Sequence, residues 1–148
     1  MNKTEVLQAS RLFEGLIPDE IEMLCEITQK KAFKAGEVVF EQGDVGDSLY
    51  ILVDGSVDVV RKRDDGSEHV IATLEAPDFF GEMSLIDKEY RSASIRARAD
   101  ISMLCLTNEN LHSFARVYKN GFTLVVINIA RVLSTRLRET NEKLAAKM

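Results

Sequence analysis

The chain has 148 residues, 45% of them hydrophobic, enough for one packed core and too few to expect two independent domains. Its formal net charge of −5 argues against the broadly basic face that nonspecific nucleic-acid binding uses, so any anion site must be built from local arginines and amides. Cys25 and Cys105 lie far apart and suggest no disulfide framework. The opening Met1-Asn2-Lys3-Thr4-Glu5 does not read as a secretory leader, and the longest apolar run, Phe122 to Ala130, is interrupted by Asn128 and too short to span a bilayer. A single domain over 1–148 in the reducing cytoplasm is expected, with no membrane and no nucleic acid as partner.

Leu7 to Phe13 and Asp19 to Thr28 read as helices. Pro18 stands at the entry of the second, Asp19 and Glu20 in its first turn, and Ile21, Leu24, Cys25 and Thr28 along one face. From Lys31 to Leu106 short strands alternate with turn signals. Val38-Val39-Phe40, Tyr50-Ile51-Leu52-Val53, Val57-Asp58-Val59 and His69 to Leu74 are separated by Gly36, Gly43-Asp44, Gly46-Asp47, Asp54-Gly55 and Asp64-Asp65-Gly66-Ser67. About eight strands at this spacing predict a sandwich or barrel, with a hairpin turn at Asp65-Gly66. Beyond it, Asn108 is expected to cap a helix running to Tyr118, and Asn120-Gly121 to break it. A long helix is then predicted over Phe122 to Lys147. Its main stripe is Phe122, Val126, Ile129, Leu133, Leu137 and Leu144, widened by Leu124, Val125 and Val132. One face would pack on the barrel and another would meet a partner, with the tail past Arg138 frayed.

Within the strands, Phe80-Gly81-Glu82-Met83-Ser84-Leu85 and then Arg91-Ser92-Ala93-Ser94 bring together the groups a buried sugar phosphate needs. Gly81 lets backbone approach a ligand, and a short helix starting near Glu82 would aim free N–H groups at an anion. Arg91 presents a planar fork that fits two phosphate oxygens. Glu82 would repel a phosphate but can accept hydrogen bonds from a sugar hydroxyl. One carboxylate and one guanidinium thus read as opposite ends of a single ligand.

These residues resemble the phosphate-binding cassette of the cyclic nucleotide-binding domain family, whose form is F-G-E-(hydrophobic)-(small)-L followed by R-(small)-A-(Thr or Ser). The resemblance extends to Gly43-Asp44, Asp47 to Ile51, Gly55 to Val59 and Leu12 to Leu16, and covers roughly residues 10 to 137. It implies an eight-stranded β-roll, or jelly roll, with N-terminal helices over 1–30, the roll over 31–107 with its cassette at 80–94, and C-terminal helices over 108–148. The implied ligand is cAMP or cGMP. Phe80, Gly81, Glu82, Met83, Ser84, Arg91, Ser92 and Ala93 would bind its sugar phosphate; Arg136 and Leu137 from the long helix, with Ile71 and Leu74, would lie near the base. Ser92 is compatible with a phosphate or a guanine amino group, and barrel core is the plainer role for Ile71 and Leu74. Pro77 replaces a glycine that many members carry before the aromatic pair, which alters the entry turn without removing a ligand group.

Other chemistries find no support. His69 and His112 lack companions at metal spacing, the two cysteines make no iron–sulfur set, and no nucleophile, base and acid form a pattern. Arg61-Lys62-Arg63 reads as a solvated hairpin end. The expectation is a non-enzymatic sensor without cofactor, signalling to an effector protein or across a homodimer made by the long helix. The alternatives are an interaction module of the same fold that binds no nucleotide, and the ligand-binding half of a transcription regulator. The residues after the long helix leave no room for a helix-turn-helix within these 148.

Overall fold

In the computed structural model, which describes residues 2–87 and 90–148, helices α1 (Lys3–Ala9) and α2 (Pro18–Ile27) precede strands β1 (Gln29–Phe33), β2 (Val38–Phe40), β3 (Ser48–Asp54), β4 (Ser56–Lys62), β5 (Glu68–Glu75) and β6 (Phe79–Phe80). A short helix α3 (Met83–Asp87) interrupts the strands, followed by β7 (Ser94–Ala97), β8 (Ile101–Thr107), α4 (Asn108–Val117) and α5 (Lys119–Ala146). The strands form two four-stranded antiparallel sheets, ordered β1-β8-β3-β6 and β2-β7-β4-β5. This is the expected β-roll with flanking helices.

The inner strands of the first sheet, β8, β3 and β6, are buried on both faces, and their sequence says why, while its edge strand β1 is largely exposed. Side chains of a strand alternate between faces. Leu49, Ile51, Leu104, Leu106 and Phe79 point into a core shared with the helices, where they meet Leu12, Phe13, Leu24, Phe114, Val125 and Ile129. Tyr50, Leu52, Met103, Cys105 and Phe80 point the other way, into the roll, against Val57, Ile95 and Ala97. A sheet between two apolar layers requires unbroken apolar runs such as Leu49 to Leu52. Phe79-Phe80 is split by the same rule: Phe79 belongs to the helical side, and Phe80 stacks on Tyr50 inside the roll with centroids 5.2 Å apart.

The second sheet is thinner. Its edge strand β5 is exposed over most of its length, and Ile71, expected in the core or the ligand pocket, is 57% exposed. The near-alternation of His69 to Leu74 matched a half-buried strand, but among the described residues no layer buries β5, which shares an open cleft with α5. The hairpin turn before it forms as expected: Gly66 has φ +86°, and Asp65 Oδ1 accepts from the Ser67 amide at 2.9 Å.

Four helical expectations shift. The helix read over Leu7 to Phe13 breaks at Ser10, which is extended and whose Oγ accepts from the Leu12 amide at 3.3 Å to start a single 3-10 turn over Arg11–Phe13. Thr107, not Asn108, caps α4, accepting from the Asn110 amide at 3.1 Å. The break before α5 falls at Tyr118, with Asn120 and Gly121 already inside the helix. Gly121 is there for space: a Cβ would overlap the Glu20 carboxylate. Glu20 also accepts from the Ile17 amide at 2.9 Å, so one buried carboxylate sits at the N-terminal ends of both α2 and α5, where the helix dipoles favour it.

The fourth shift concerns which stripe of α5 packs. Val125, Asn128, Ile129 and Val132 are buried, while Val126, Leu137 and Leu144 are exposed. Asn128, which looked like an interruption, is 2% exposed and donates from Nδ2 to Leu12 O and Glu14 O, both at 3.0 Å. Those carbonyls lie just where the chain leaves the 3-10 turn, and the amide ties it to α5.

Candidate functional site

The segment from Phe80 to Ser84 and the segment from Arg91 to Ala93 meet at one cavity. Its volume is about 250 Å³, and Phe40, Val59, Leu74 and Ile95 form its apolar wall, with Met83, Tyr90 and Arg136 also in its lining. Gly81 makes the cavity possible. Its φ is +83°, and a Cβ there would lie 2.9 Å from both Ser48 O and Arg91 Nη1. Gly46 gives a second close approach, since a Cβ would fall 2.7 Å from Ser84 Cβ and 3.2 Å from Arg91 Cζ.

Arg91 is only 8% exposed. Its Nη1 donates to Gly81 O at 3.1 Å, its Nη2 to Ser48 O at 2.8 Å, and its Cζ stands 4.0 Å over the Phe40 ring. Its backbone is clamped as well, the amide donating to Asp44 O and the carbonyl accepting from the Gly43 amide. Nε is buried without a hydrogen-bond partner, and Arg91 forms no ion pair among the described residues. Burial draws its pKa below the usual guanidinium value, opposed by Tyr50, Asp47, Cys105 and Glu82. A buried cation held by neutral carbonyls, with one donor unused, is electrostatically incomplete. It can accept an anion.

Glu82 is 5% exposed, at the start of α3. Burial raises its pKa, and its own backbone N–H, Arg136 and Arg91 oppose the rise. Arg136 reaches it from α5: Nη1 donates to Glu82 Oε1 at 3.1 Å, Nη2 donates to Phe79 O at 2.9 Å, and the guanidinium lies 5.1 Å from the Phe79 ring centre. The sequence placed Arg136 near a base; the structure puts it on the carboxylate. Ser84 is buried and donates to Gly81 O at 2.9 Å, closing the first turn of α3. Ser92 is exposed at the cavity, and Ala93 is nearly buried beside it.

Of the four residues expected near a base, Leu74 and Arg136 line the cavity, and Ile71 and Leu137 do not. Leu137 is 62% exposed because it lies on the side of α5 turned away from the roll. Phe40, Val59, Tyr90 and Ile95 were not singled out from the sequence. For Phe40, Val59 and Ile95 the signal was present, since each is an apolar strand residue pointing into the roll, but roll core and cavity wall carry the same pattern.

Fold and site together define a β-roll domain whose cassette encloses a cavity lined by a buried arginine. The description "Cyclic nucleotide-binding domain" matches residues 30–118, and the chain belongs to that family. A "Cyclic AMP receptor protein" from Thermus thermophilus is 36% identical over 138 residues, which cover 93% of this chain and 62% of that protein. A "CRP-like cAMP-activated global transcriptional regulator" from Mycobacterium tuberculosis is 31% identical, over 95% of this chain and 61% of the regulator. The chain therefore spans under two thirds of the length of these relatives. Among solved structures, a cyclic nucleotide-binding domain from Methylobacillus flagellatus superposes with a TM-score of 0.86 at 27% identity, over 99% of this chain and 82% of that one. The Thermus thermophilus catabolite activator protein superposes at 0.78 with 37% identity, over 92% and 62% respectively.

Proposed function

We propose that this chain is a cyclic nucleotide receiver that binds cAMP or cGMP at the cassette and passes the event on through α5. The observation that carries this reading is Arg91, a buried guanidinium with an unpartnered Nε and, among the described residues, no ion pair. A phosphate would supply the missing charge, contacted also by the Ser92 hydroxyl and the Ala93 amide. Gly81, Met83 and Ser84 would shape the phosphate end, and Phe80 would floor it. Glu82 would accept from the ribose hydroxyl, and the base would lie toward Val59, Leu74 and Arg136. Of the polar side chains lining the cavity, Glu82, Ser84, Arg91 and Ser92 would serve the sugar phosphate, and neither Tyr90 nor Arg136 singles out one purine, so both purines stay as ligands.

Arg136 ties α5 to the cassette. The ligand would therefore shift an existing contact between two arrangements of α5, and only by as much as it binds them differently. The output would pass to an effector protein or across a homodimer. For the homodimer, Thr123, Ile127, Ala130, Ser134, Leu137, Asn141 and Leu144 fall at alternating four- and three-residue spacing along the exposed side of α5, the repeat of a coiled-coil seam. Leu137→Asp should shift the sedimentation profile from dimer to monomer; a wild type that sediments as a monomer at every concentration would remove that part of the reading. The role is regulatory rather than catalytic, needs no cofactor and suits the cytoplasm.

The direct test is titration with cAMP and cGMP while thermal stability is followed. A ligand at 100 times its dissociation constant adds about 2.7 kcal/mol. No stabilisation by either nucleotide would favour an interaction module that keeps the fold and binds neither. A second reading, the ligand-binding part of a transcription regulator, draws on the greater length of the relatives, and the gene downstream of Met148 tests it.

A further inference from the structure

Asn108 reaches outside its own helix. Thr107 caps α4, so the Asn108 side chain is released from the role its residue type suggested. It turns instead to the cassette: Nδ2 donates to Ser84 O in α3 at 3.3 Å, while the Asn108 backbone amide donates to Asp47 O at 2.8 Å. Strand register brings it there, since Thr107 at the end of β8 pairs with Ser48 at the start of β3. From this place Asn108 stands one step behind both carbonyls that hold Arg91. Gly81 O accepts from Arg91 Nη1, and also from the Ser84 hydroxyl at 2.9 Å and the Ser84 amide at 3.4 Å. Ser84, 4% exposed, is the residue whose carbonyl Asn108 grips. Ser48 O accepts from Arg91 Nη2, and Ser48 follows Asp47, whose carbonyl the Asn108 amide holds.

Helix α3 has five residues, too few to keep its place by helix propensity alone, so contacts from outside must fix it. The energetics of Asn108 point the same way. Its Oδ1 is buried and has no hydrogen-bond partner among the described residues. Leaving a buried acceptor unpaired costs about as much as one neutral hydrogen bond returns. The amide therefore adds little net stability to the fold, and what it supplies is the placement of Ser84. A leucine of the same branched shape would carry no orphaned oxygen, but it would leave Ser84 and Gly81 able to shift.

We propose that Asn108 is a positioning residue for phosphate recognition: acting through Ser84 and Gly81 O, it aims the Arg91 guanidinium at the ligand. The inference rests on the nucleotide reading above and adds to the cassette a residue from outside its sequence. It also separates two quantities that a structural side chain would move together, the stability of the fold and the affinity for nucleotide.

Two measurements on wild type, Asn108→Leu and Asn108→Ala test it: urea unfolding without nucleotide, and calorimetry with whichever of cAMP and cGMP the wild type binds. Unfolding midpoints should match or exceed wild type, while affinity falls about fivefold or more, the size of one neutral hydrogen bond. The Asn108→Leu change is then repeated in an Arg91→Lys background, which keeps the charge but not the planar fork that Gly81 O and Ser48 O orient. There its effect should shrink to about twofold or less, because residues that act through one another are not additive. An equal loss in both backgrounds shows that Asn108 does not act through Arg91 and overturns the inference. Unchanged affinity overturns it too, as do unfolding midpoints lowered in both variants, which would make Asn108 a structural residue. If Arg91→Lys binds too weakly to titrate, the stability and affinity of the two single variants decide. All of these outcomes leave the nucleotide reading standing. A wild type that binds neither cAMP nor cGMP overturns the nucleotide reading and this inference with it.

Discussion

The two ends of the cavity are built differently. At the phosphate end, Arg91 is held by backbone carbonyls of Gly81 and Ser48 and by the loop at Gly43-Asp44, all within the roll. At the proposed sugar end, Glu82 is held by a side chain that arrives from α5, a separate element. One end is built within the roll, and the other depends on a contact from a helix outside it. Affinity without coupling needs only the first; a sensor needs both. On the proposed reading, binding strength would reside in the roll and signal transfer at Glu82–Arg136.

Arg91→Ala tests the end within the roll most severely. Removing the partner of a buried phosphate should cost about 2–5 kcal/mol of nucleotide binding, measured by calorimetry, and should leave the fold intact. If affinity for both nucleotides stays unchanged, Arg91 is not the phosphate site. Gly81→Ala should come next. The positive φ and the approach to Ser48 O predict a stability loss of about 1–3 kcal/mol in urea unfolding, together with weakened binding as Arg91 is pushed aside.

Glu82 tests the other end through pH. Its pKa is raised in the fold, so the folded state holds a proton that the unfolded state has released, over the window between the ordinary carboxylate value and the raised one. The Glu82 contribution to stability is therefore greatest below that window and lost as pH climbs through it. Glu82→Gln should be free of this loss: the stability difference between variant and wild type should shift in favour of the variant as pH rises from about 4 toward neutrality. A difference that is constant with pH would show that Glu82 does not titrate in the fold as its burial implies. The smallest effect belongs to Ile71→Ser. This exposed residue lies outside the cavity, so nucleotide affinity should change by no more than about 0.5 kcal/mol. A larger loss would extend the base end of the site beyond the present wall.

Much of the site was legible because its chemistry is local. Gly81, Glu82 and Ser84 lie within one turn, and the demand of a buried phosphate for Arg91 is a matter of residue type. The apolar runs at Leu49 to Leu52 and Leu104 to Leu106 marked the inner sheet, since a strand covered on both faces cannot carry polar residues. The misreadings share one cause, which is that local pattern does not say what covers a face. Ile71 had a strand's pattern but lies on an edge with nothing over it. Leu137 fell on a plausible helical stripe, yet the roll selected the neighbouring one. Asn128 looked like a defect in an apolar run and is a buried clamp on Leu12 and Glu14.

From the sequence alone came the order of helices and strands, the cassette, and its arginine as the candidate for a phosphate, because turn chemistry, side-chain period and charge are properties of neighbouring residues. The tertiary structure alone decided that Arg91 is buried with no ion pair among the described residues, that β5 is largely exposed, and that Arg136 meets Glu82. Those facts depend on where a helix that begins at Lys119 crosses a cassette that begins at Phe80, and no local pattern carries that distance.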